Sequence, residues 1–323
     1  MRPAVPRILF SLLLVAVAVA FWTLPAQAQA KSFIIDLTHP IPTFQQGDVG
    51  QADLSKPIGK SRPIASFGSQ AVLVGLPNFP TGDGHFILNR IILGEHHGTH
   101  LDAPTHFVNK PETLETATPD RRTTDQLSEK DLTGRVVLID VSRRVQAELA
   151  KNGGKPDPDP KKTNFSDAAG NVVTAADINA VANQLDNGVW IVIHTGWSQF
   201  FWQSGPGLEG PYINGFNFPG LSKAAVDRLI EIENQKKIRI NGLGADQIQV
   251  DTGANAGAPQ FGKEAFPAHV RGLQRGWKML ENLANTDLLA QATPGSCAIF
   301  VGALKHVGGS GGAARVFAQC ENK

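Results

Sequence analysis

The sequence predicts an α/β protein: a single domain with a mixed β-sheet and flanking helices. Short apolar runs of the strand type alternate along the chain with two or three segments of helical periodicity. The 33 glycines and 21 prolines among 323 residues favour many turns and argue against a helical bundle. Hydrophobic residues make up 41% of the chain and charged residues 18%, which is typical of a globular protein.

The N-terminal segment, residues 1–30, has the pattern of a secretory signal peptide. Arg2 and Arg7 precede an apolar run over 8–24. Two overlapping Ala-Gln-Ala triplets, at 26–28 and 28–30, then match the small-x-small pattern of a cleavage site. We therefore expect an exported protein, periplasmic or secreted, with residues 31–323 as its domain; an uncleaved N-terminal anchor is the alternative. Without the two arginines the formal charge changes from +1 to −1, which gives no electrostatic reason to expect a nucleic acid or a membrane surface as partner.

The strands are justified by runs rich in β-branched and other apolar residues. The runs at 136–141, apart from Asp140, and at 189–193 are apolar, as strands buried on both faces are. Strands are expected, in chain order, at residues 32–37, 71–74, 86–93, 136–141, 189–197, 238–246, 298–301 and 314–318; the strand at 189–197 is expected to end in a turn, and that at 238–246 to lead into a loop.

Two helices are predicted from their capping residues and their periodicity. The first follows Thr174, which is expected to be its N-cap, and the second spans 223–233 after Ser222. Two segments are predicted to lack regular structure because of their composition. Residues 40–70 are rich in Pro, Gly and Gln, and residues 152–172 are expected to form an exposed insertion that contributes nothing to a core.

The two cysteines, Cys297 and Cys320, are predicted to form a disulfide, with two buried thiols as the alternative. Cys297 precedes the strand at 298–301, and Cys320 follows the strand at 314–318. If the glycine-rich run 308–312 is a flexible turn, an antiparallel pair of strands would bring the cysteines opposite each other.

The stretch HHGTHLDAPTH, residues 96–106, concentrates four of the nine histidines of the chain. In an extended conformation His96, His100 and Asp102 would all lie on one face, and His106 would return after Pro104. Two imidazoles and a carboxylate can bind Zn²⁺, Mn²⁺ or Fe²⁺, so a metal site is predicted. The alternative is a polar surface loop with coincidental histidines.

The same stretch resembles the signature H-x-G-T-H-x-D-A-P-x-H of the cyclase family of metal-dependent hydrolases, which includes bacterial kynurenine formamidase and isatin hydrolase. Every fixed position of the signature is matched. Further similar segments follow in the expected order, at residues 35–39, 194–197, 218–222, 266–269 and 281–283. The resemblance implies a fold of the swivelling β/β/α type and a homo-oligomer.

The resemblance also implies the roles of individual residues. One divalent ion, zinc or manganese, would be bound by His96, His100 and Asp102. A second would be bound by Asp102, His269 and Glu281, although some family members are described with one ion. For His269 and Glu281 the alternatives are a core histidine and an exposed glutamate.

His106 resembles the catalytic histidine of the family; a supporting residue or a fourth ligand is the alternative. The implied reaction is metal-assisted hydrolysis of an amide C–N bond in an aryl formamide or a cyclic amide. A metal-dependent cyclase or dehydratase, a lactone hydrolase and an exported non-catalytic metal-binding protein are the alternatives. Four aromatic side chains are expected to line the substrate pocket, or else to belong to the core: Trp197, Phe200, Phe201 and Trp202. His194 has no assigned role.

Overall fold

The structure is a computed structural model that describes residues 32–66, 70–76, 80–81, 84–85, 87–107, 118–253 and 266–321. The predicted signal peptide lies outside these residues. The described residues all belong to one compact unit. Within them, no helix has the length and apolar character that a membrane crossing requires.

Among the described residues, strands outnumber α-helices, by fourteen to four. The four α-helices are α1 (Ser142–Ala150), α2 (Ala175–Val181), α3 (Lys223–Lys236) and α4 (Thr286–Gln291). Short 3-10 helices span Asp48–Gly50, Pro104–His106, Thr124–Gln126, Ala182–Gln184, Trp197–Gln203, Asn214–Phe216 and Leu273–Arg275, and a π-helical turn spans Ala268–Gly272. The strands are β1 (Ser32–Asp36), β2 (Thr43–Gln46), β3 (Ala52–Pro57), β4 (Ala71–Gly75), β5 (Pro80–Thr81), β6 (Gly84–His85), β7 (Asn89–Ile92), β8 (His100–Asp102), β9 (Thr133–Asp140), β10 (Trp190–His194), β11 (Gly242–Ala245), β12 (Lys278–Glu281), β13 (Cys297–Ala303) and β14 (Gly311–Glu321).

The main sheet confirms the predicted mixed α/β fold. Its eight strands run in the order β1-β14-β13-β9-β10-β11-β12-β8, and β14 also pairs with β8. Strands β8 to β14 therefore close into a ring, to which β1 is attached. The pairs β9–β10, β10–β11 and β11–β12 are parallel, whereas the remaining pairs of this sheet are antiparallel.

The two faces of the strand ring bury different cores. In β10, Trp190 and Val192 belong to a cluster built mostly from strand side chains. Ile191 and Ile193 instead pack in a second cluster with the helices, which we call the helix-side core. This alternation is the period-two pattern of a strand buried on both faces. Leu101 of β8 belongs to the first cluster, so its neighbours His100 and Asp102 point to the opposite face.

The predicted helix starts are confirmed. Thr174 and Asp177 form a capping box at the start of α2, and the Ser222 hydroxyl accepts a hydrogen bond from the Ala225 N–H at the start of α3. The disulfide is also formed: Cys297 and Cys320 stand opposite each other in the antiparallel pair β13–β14, with their Cα atoms 4.0 Å apart.

Two predictions about loops are wrong. The segment 40–70 contains β2 and β3, which join β4 and β7 in a second sheet of order β3-β2-β4-β7. The segment 152–172 is not a wholly exposed insertion, because Phe165 is fully buried in the helix-side core and Thr163 is buried beside it. Val172, the last residue of the segment, is buried in the same core, so a few apolar side chains anchor a segment that is otherwise polar.

Candidate metal centre and active site

The centre of the site is β8, the short strand that carries His100 and Asp102. β8 lies between β12 and β14, and its register places His100 beside Glu281. The Nε2 atom of His100 lies 3.3 Å from Asp102 Oδ1 and 3.5 Å from Glu281 Oε2. The Nδ1 atom is 2.9 Å from the Gly98 carbonyl oxygen, to which it donates. Nε2 is therefore the nitrogen of His100 that faces the two carboxylates.

His96 reaches the site by a different route from the predicted one. It lies in a turn before Gly98, whose φ of +64° reverses the backbone, so residues 96–102 do not form one extended strand. The ring still converges on the site, because His96 Nδ1 lies 2.6 Å from Asp102 Oδ1. The predicted set of two imidazoles and one carboxylate is thus brought together by a turn followed by a strand.

His269 and Glu281 complete the cluster. His269 lies in the π-helical turn, and its Nε2 is 3.2 Å from Glu281 Oε1 and 3.5 Å from Asp102 Oδ2. Its Nδ1 is 2.7 Å from Asp251 Oδ2, so a carboxylate outside the cluster orients the ring. Glu281 is only 3% exposed, which excludes the alternative of a surface glutamate.

Charge is concentrated at this buried cluster. Burial and the neighbouring Asp102 raise the pKa of Glu281. Burial acts to lower the pKa of His100, but hydrogen bonding to Asp102 and the charge of Glu281 outweigh it and raise that pKa to about 9. Burial is likewise outweighed at Asp102, where nearby histidines, His106 first, hold the pKa well below its usual range.

The residues present fit a divalent ion. Asp102 Oδ2 is a buried oxygen with no hydrogen-bond partner, and such an atom is costly unless a cation or a donor meets it. Two groups of side chains have ligand atoms close enough to share an ion: His96, Asp102 and His106, and separately His100, Asp102 and Glu281. Asp102 belongs to both groups, as a bridging ligand would, and imidazole with carboxylate suits zinc or manganese.

His106 stands at the edge of the cluster, in the 3-10 helix that follows β8. Its ring packs against that of His96, with centroids 3.9 Å apart, and lies 6.0 Å from the ring of His269. Burial lowers the pKa of His106 to about 4 against the opposing charge of Asp102, so the imidazole is neutral at pH 7 and can accept a proton.

The four aromatic residues proposed for the substrate pocket separate into two groups. Trp197, Phe200 and Phe201 are buried in the helix-side core, and the Trp197 indole N–H donates to the Tyr212 carbonyl oxygen at 2.8 Å. For these three rings the core alternative therefore describes the structure. Trp202 borders a cavity of about 550 Å³.

The aromatic rings that border the histidine cluster are others. Phe107 lies 6.2 Å from the ring of His106 and 5.9 Å from that of His269, and Phe266 lies 6.0 Å from both Phe107 and His269. Phe107 directly follows the signature histidine in the sequence, which is the signal that could have identified it.

Asp251 could not be identified from the sequence, because 18 residues separate it from His269. His194 had no role that the sequence predicted. His194 Nδ1 lies 2.8 Å from Thr286 Oγ1 and 3.6 Å from Asp246 Oδ2. Asp246 also accepts from the Thr195 backbone and hydroxyl, so His194 belongs to a polar network apart from the two candidate ligand groups.

The chain is similar to proteins of one known family. The Cyclase family, described as putative cyclase, matches residues 35–252. An isatin hydrolase of Roseibium aggregatum is 27% identical over 288 residues, which are 84% of this chain and 92% of that protein.

Solved structures share the fold. One is an isatin hydrolase bound to the product analogue thioisatinate, with a TM-score of 0.60, 23% identity, and coverage of 90% of this chain and 93% of that one. Isatin hydrolase A from Ralstonia solanacearum has a TM-score of 0.58, 21% identity and coverage of 90% and 92%.

Proposed function

Because the chain belongs to the Cyclase family, we propose that it is a metal-dependent hydrolase that opens a cyclic amide, with aryl formamides as the second class of substrate. The observation that carries the proposal is the convergence of three histidines on the buried carboxylates of Asp102 and Glu281, where one oxygen, Asp102 Oδ2, has no hydrogen-bond partner. The name of the Roseibium aggregatum relative, which is similar over 84% of this chain, supports the cyclic substrate.

The proposed ligands are His96, His100, Asp102, His269 and Glu281, holding one or two ions of zinc or manganese. A divalent ion in this position would lower the pKa of a coordinated water towards neutrality and polarise the amide carbonyl. Gly98 and Asp251 orient His100 and His269 through their Nδ1 atoms, which leaves both Nε2 atoms directed at the carboxylates.

We assign the proton transfers to His106. Its neutral imidazole takes the proton that the attacking water loses and returns it to the amide nitrogen as the C–N bond breaks, giving a carboxylate and an amine. A further histidine beside the ligands, His106, favours a catalytic site over a non-catalytic metal-binding protein, because metal binding alone needs no proton acceptor. Phe107 and Phe266 would contact an aromatic ring held next to His106.

The test is turnover by the purified protein of isatin, N-formylkynurenine and a simple lactone, each with and without a chelator. We expect isatin to be opened, the chelator to abolish the reaction, and added Zn²⁺ or Mn²⁺ to restore it. Turnover of the lactone alone would replace amide hydrolysis by the alternative lactonase, and turnover that resists the chelator would refute metal dependence.

We further propose that the protein is exported. The Cys297–Cys320 disulfide supports this, because such bonds persist in oxidising compartments. Mass spectrometry of non-reduced protein recovered from the periplasm should find a chain that lacks residues 1–30 and has no thiol to alkylate. Recovery of the full-length chain from the cytoplasm would contradict the proposal.

A further inference from the structure

The connection between β13 and β14 is anchored rather than flexible. The run GGSGG, residues 308–312, which ends this connection and begins β14, predicts a mobile turn, yet the backbone carbonyls of Gly309 and Ser310 are both hydrogen-bonded. The Gly309 carbonyl accepts from the Thr124 N–H at 3.0 Å, and the Ser310 carbonyl accepts from the Ala103 N–H at 2.9 Å. The connection is therefore attached to Ala103, which directly follows β8, and to the 3-10 helix at Thr124–Gln126.

The side chain of Ser310 lies between a carboxylate and a candidate ligand. Ser310 Oγ is 2.5 Å from Glu95 Oε2 and 3.0 Å from His96 Nε2. A carboxylate can only accept, so the single hydroxyl hydrogen of Ser310 goes to Glu95. The hydroxyl oxygen must then accept from His96, which places a hydrogen on Nε2. Nδ1 lies 2.6 Å from Asp102 Oδ1, so an ion bound to that carboxylate would take the place of a hydrogen on Nδ1.

The same connection also fixes where the ring of His96 can lie. A Cβ atom on Gly311 would stand 2.4 Å from Cε1 of His96 and 2.7 Å from the Leu101 carbonyl oxygen, so only glycine fits between the ring and β8. Glu95 is held in turn by His306, whose Nε2 lies 2.5 Å from Glu95 Oε1. The ring is thus confined by packing on one side and by hydrogen bonds on the other.

We propose that Glu95 and Ser310 are positioning residues for the metal: through a Glu95–Ser310–His96 chain of hydrogen bonds they hold the proton on Nε2 of His96 and present Nδ1 to the ion. This inference rests on the proposed metal-dependent function. A carboxylate that orients a ligating imidazole usually does so directly, as Asp251 does for His269; here a serine hydroxyl is interposed.

The experiment measures Zn²⁺ affinity by competition with a chromogenic chelator, using the full mature protein. Ser310→Ala and Glu95→Ala should each weaken binding by roughly 10- to 100-fold, the usual effect of losing such an orienting partner. Both residues act through one hydrogen bond to His96. The double variant should therefore bind zinc no more weakly than whichever single variant has the lower affinity. Ser310→Thr keeps the hydroxyl and should retain affinity.

Ser128→Ala is the matched control. It removes another serine–carboxylate hydrogen bond, from Ser128 Oγ to Asp131 Oδ2 at 2.8 Å, and should leave zinc affinity unchanged. Wild-type affinity in Ser310→Ala, or additive losses in the double variant, would overturn the chain of hydrogen bonds.

The affinity assay also separates this inference from the proposed function. Zinc binding that depends on Ser310, in a protein that opens no amide, would support the inference and refute the proposed hydrolysis. A wild-type protein that binds neither zinc nor manganese would overturn both.

Discussion

His106 is the side chain whose substitution best separates catalysis from metal binding. In His106→Ala the five proposed ligands are untouched, so metal content should be retained, while the rate should fall by roughly 10²- to 10⁴-fold with the loss of the proton carrier. The measurement is metal content and amide turnover on the same preparation. Loss of the metal would instead make His106 a ligand, which its place beside His96 and Asp102 permits.

Residues that act together could be predicted only where they are close in sequence. His96, His100 and Asp102 lie within one short stretch, and ligand chemistry alone indicates a metal site there. His269 and Glu281 needed the family resemblance. Asp251 and Ser310 support their histidines across 18 and 214 residues, distances over which a single sequence gives no contact information.

At the scale of elements, Phe165 should anchor the 152–172 segment, although the composition of that segment predicts an exposed insertion. Phe165→Ala removes a fully buried ring, so we expect the free energy of unfolding to fall by about 3–5 kcal/mol. The exposed Lys161 lies in the same segment and provides the control. Lys161→Ala should change the free energy of unfolding by less than about 0.5 kcal/mol. Urea unfolding at neutral pH measures both variants; a loss below about 1 kcal/mol for Phe165→Ala would show that the segment is not anchored there.

The prediction of elements succeeded where periodicity or capping gave a physical signal. The apolar runs within β9, at residues 136–139, and within β10 lie where both faces of the strands are largely buried, and Ser222 marks the start of α3. β2 and β3 were missed because the sequence of β3, ADLSKP, is polar, half-buried to exposed, and ends in proline. The turn at Gly98 was missed because extended and turned backbones place the same side chains within reach of one ion.

For the whole molecule, the pH dependence of stability should reflect buried neutral histidines. Burial lowers the pKa of His39 to about 4, below its ordinary value of 6.5. The unfolded chain therefore takes up a proton at this residue before the folded one does. The resulting stability is complete above pH 6.5 and is lost as the pH falls towards 4.

Between pH 7.5 and 5 this one residue should account for about 2 kcal/mol of the free energy of unfolding. Urea unfolding of metal-free protein, with chelator present throughout, measures the difference. His39→Phe keeps a ring against Phe201, whose centroid lies 3.9 Å away, and cannot titrate, so its stability should decline less over this range. An unchanged decline would assign the effect to other groups.

The central claim is that Asp102 holds the metal on which the whole site depends. The direct measurement is the metal content per chain, by elemental mass spectrometry, of the wild-type protein, His96→Ala and Asp102→Ala, each purified without chelator and checked for cooperative unfolding. We expect one or two divalent ions in the wild-type protein, a reduced content in His96→Ala and the lowest content in Asp102→Ala, because Asp102 belongs to both candidate ligand groups. A full complement of metal in folded Asp102→Ala protein would contradict it.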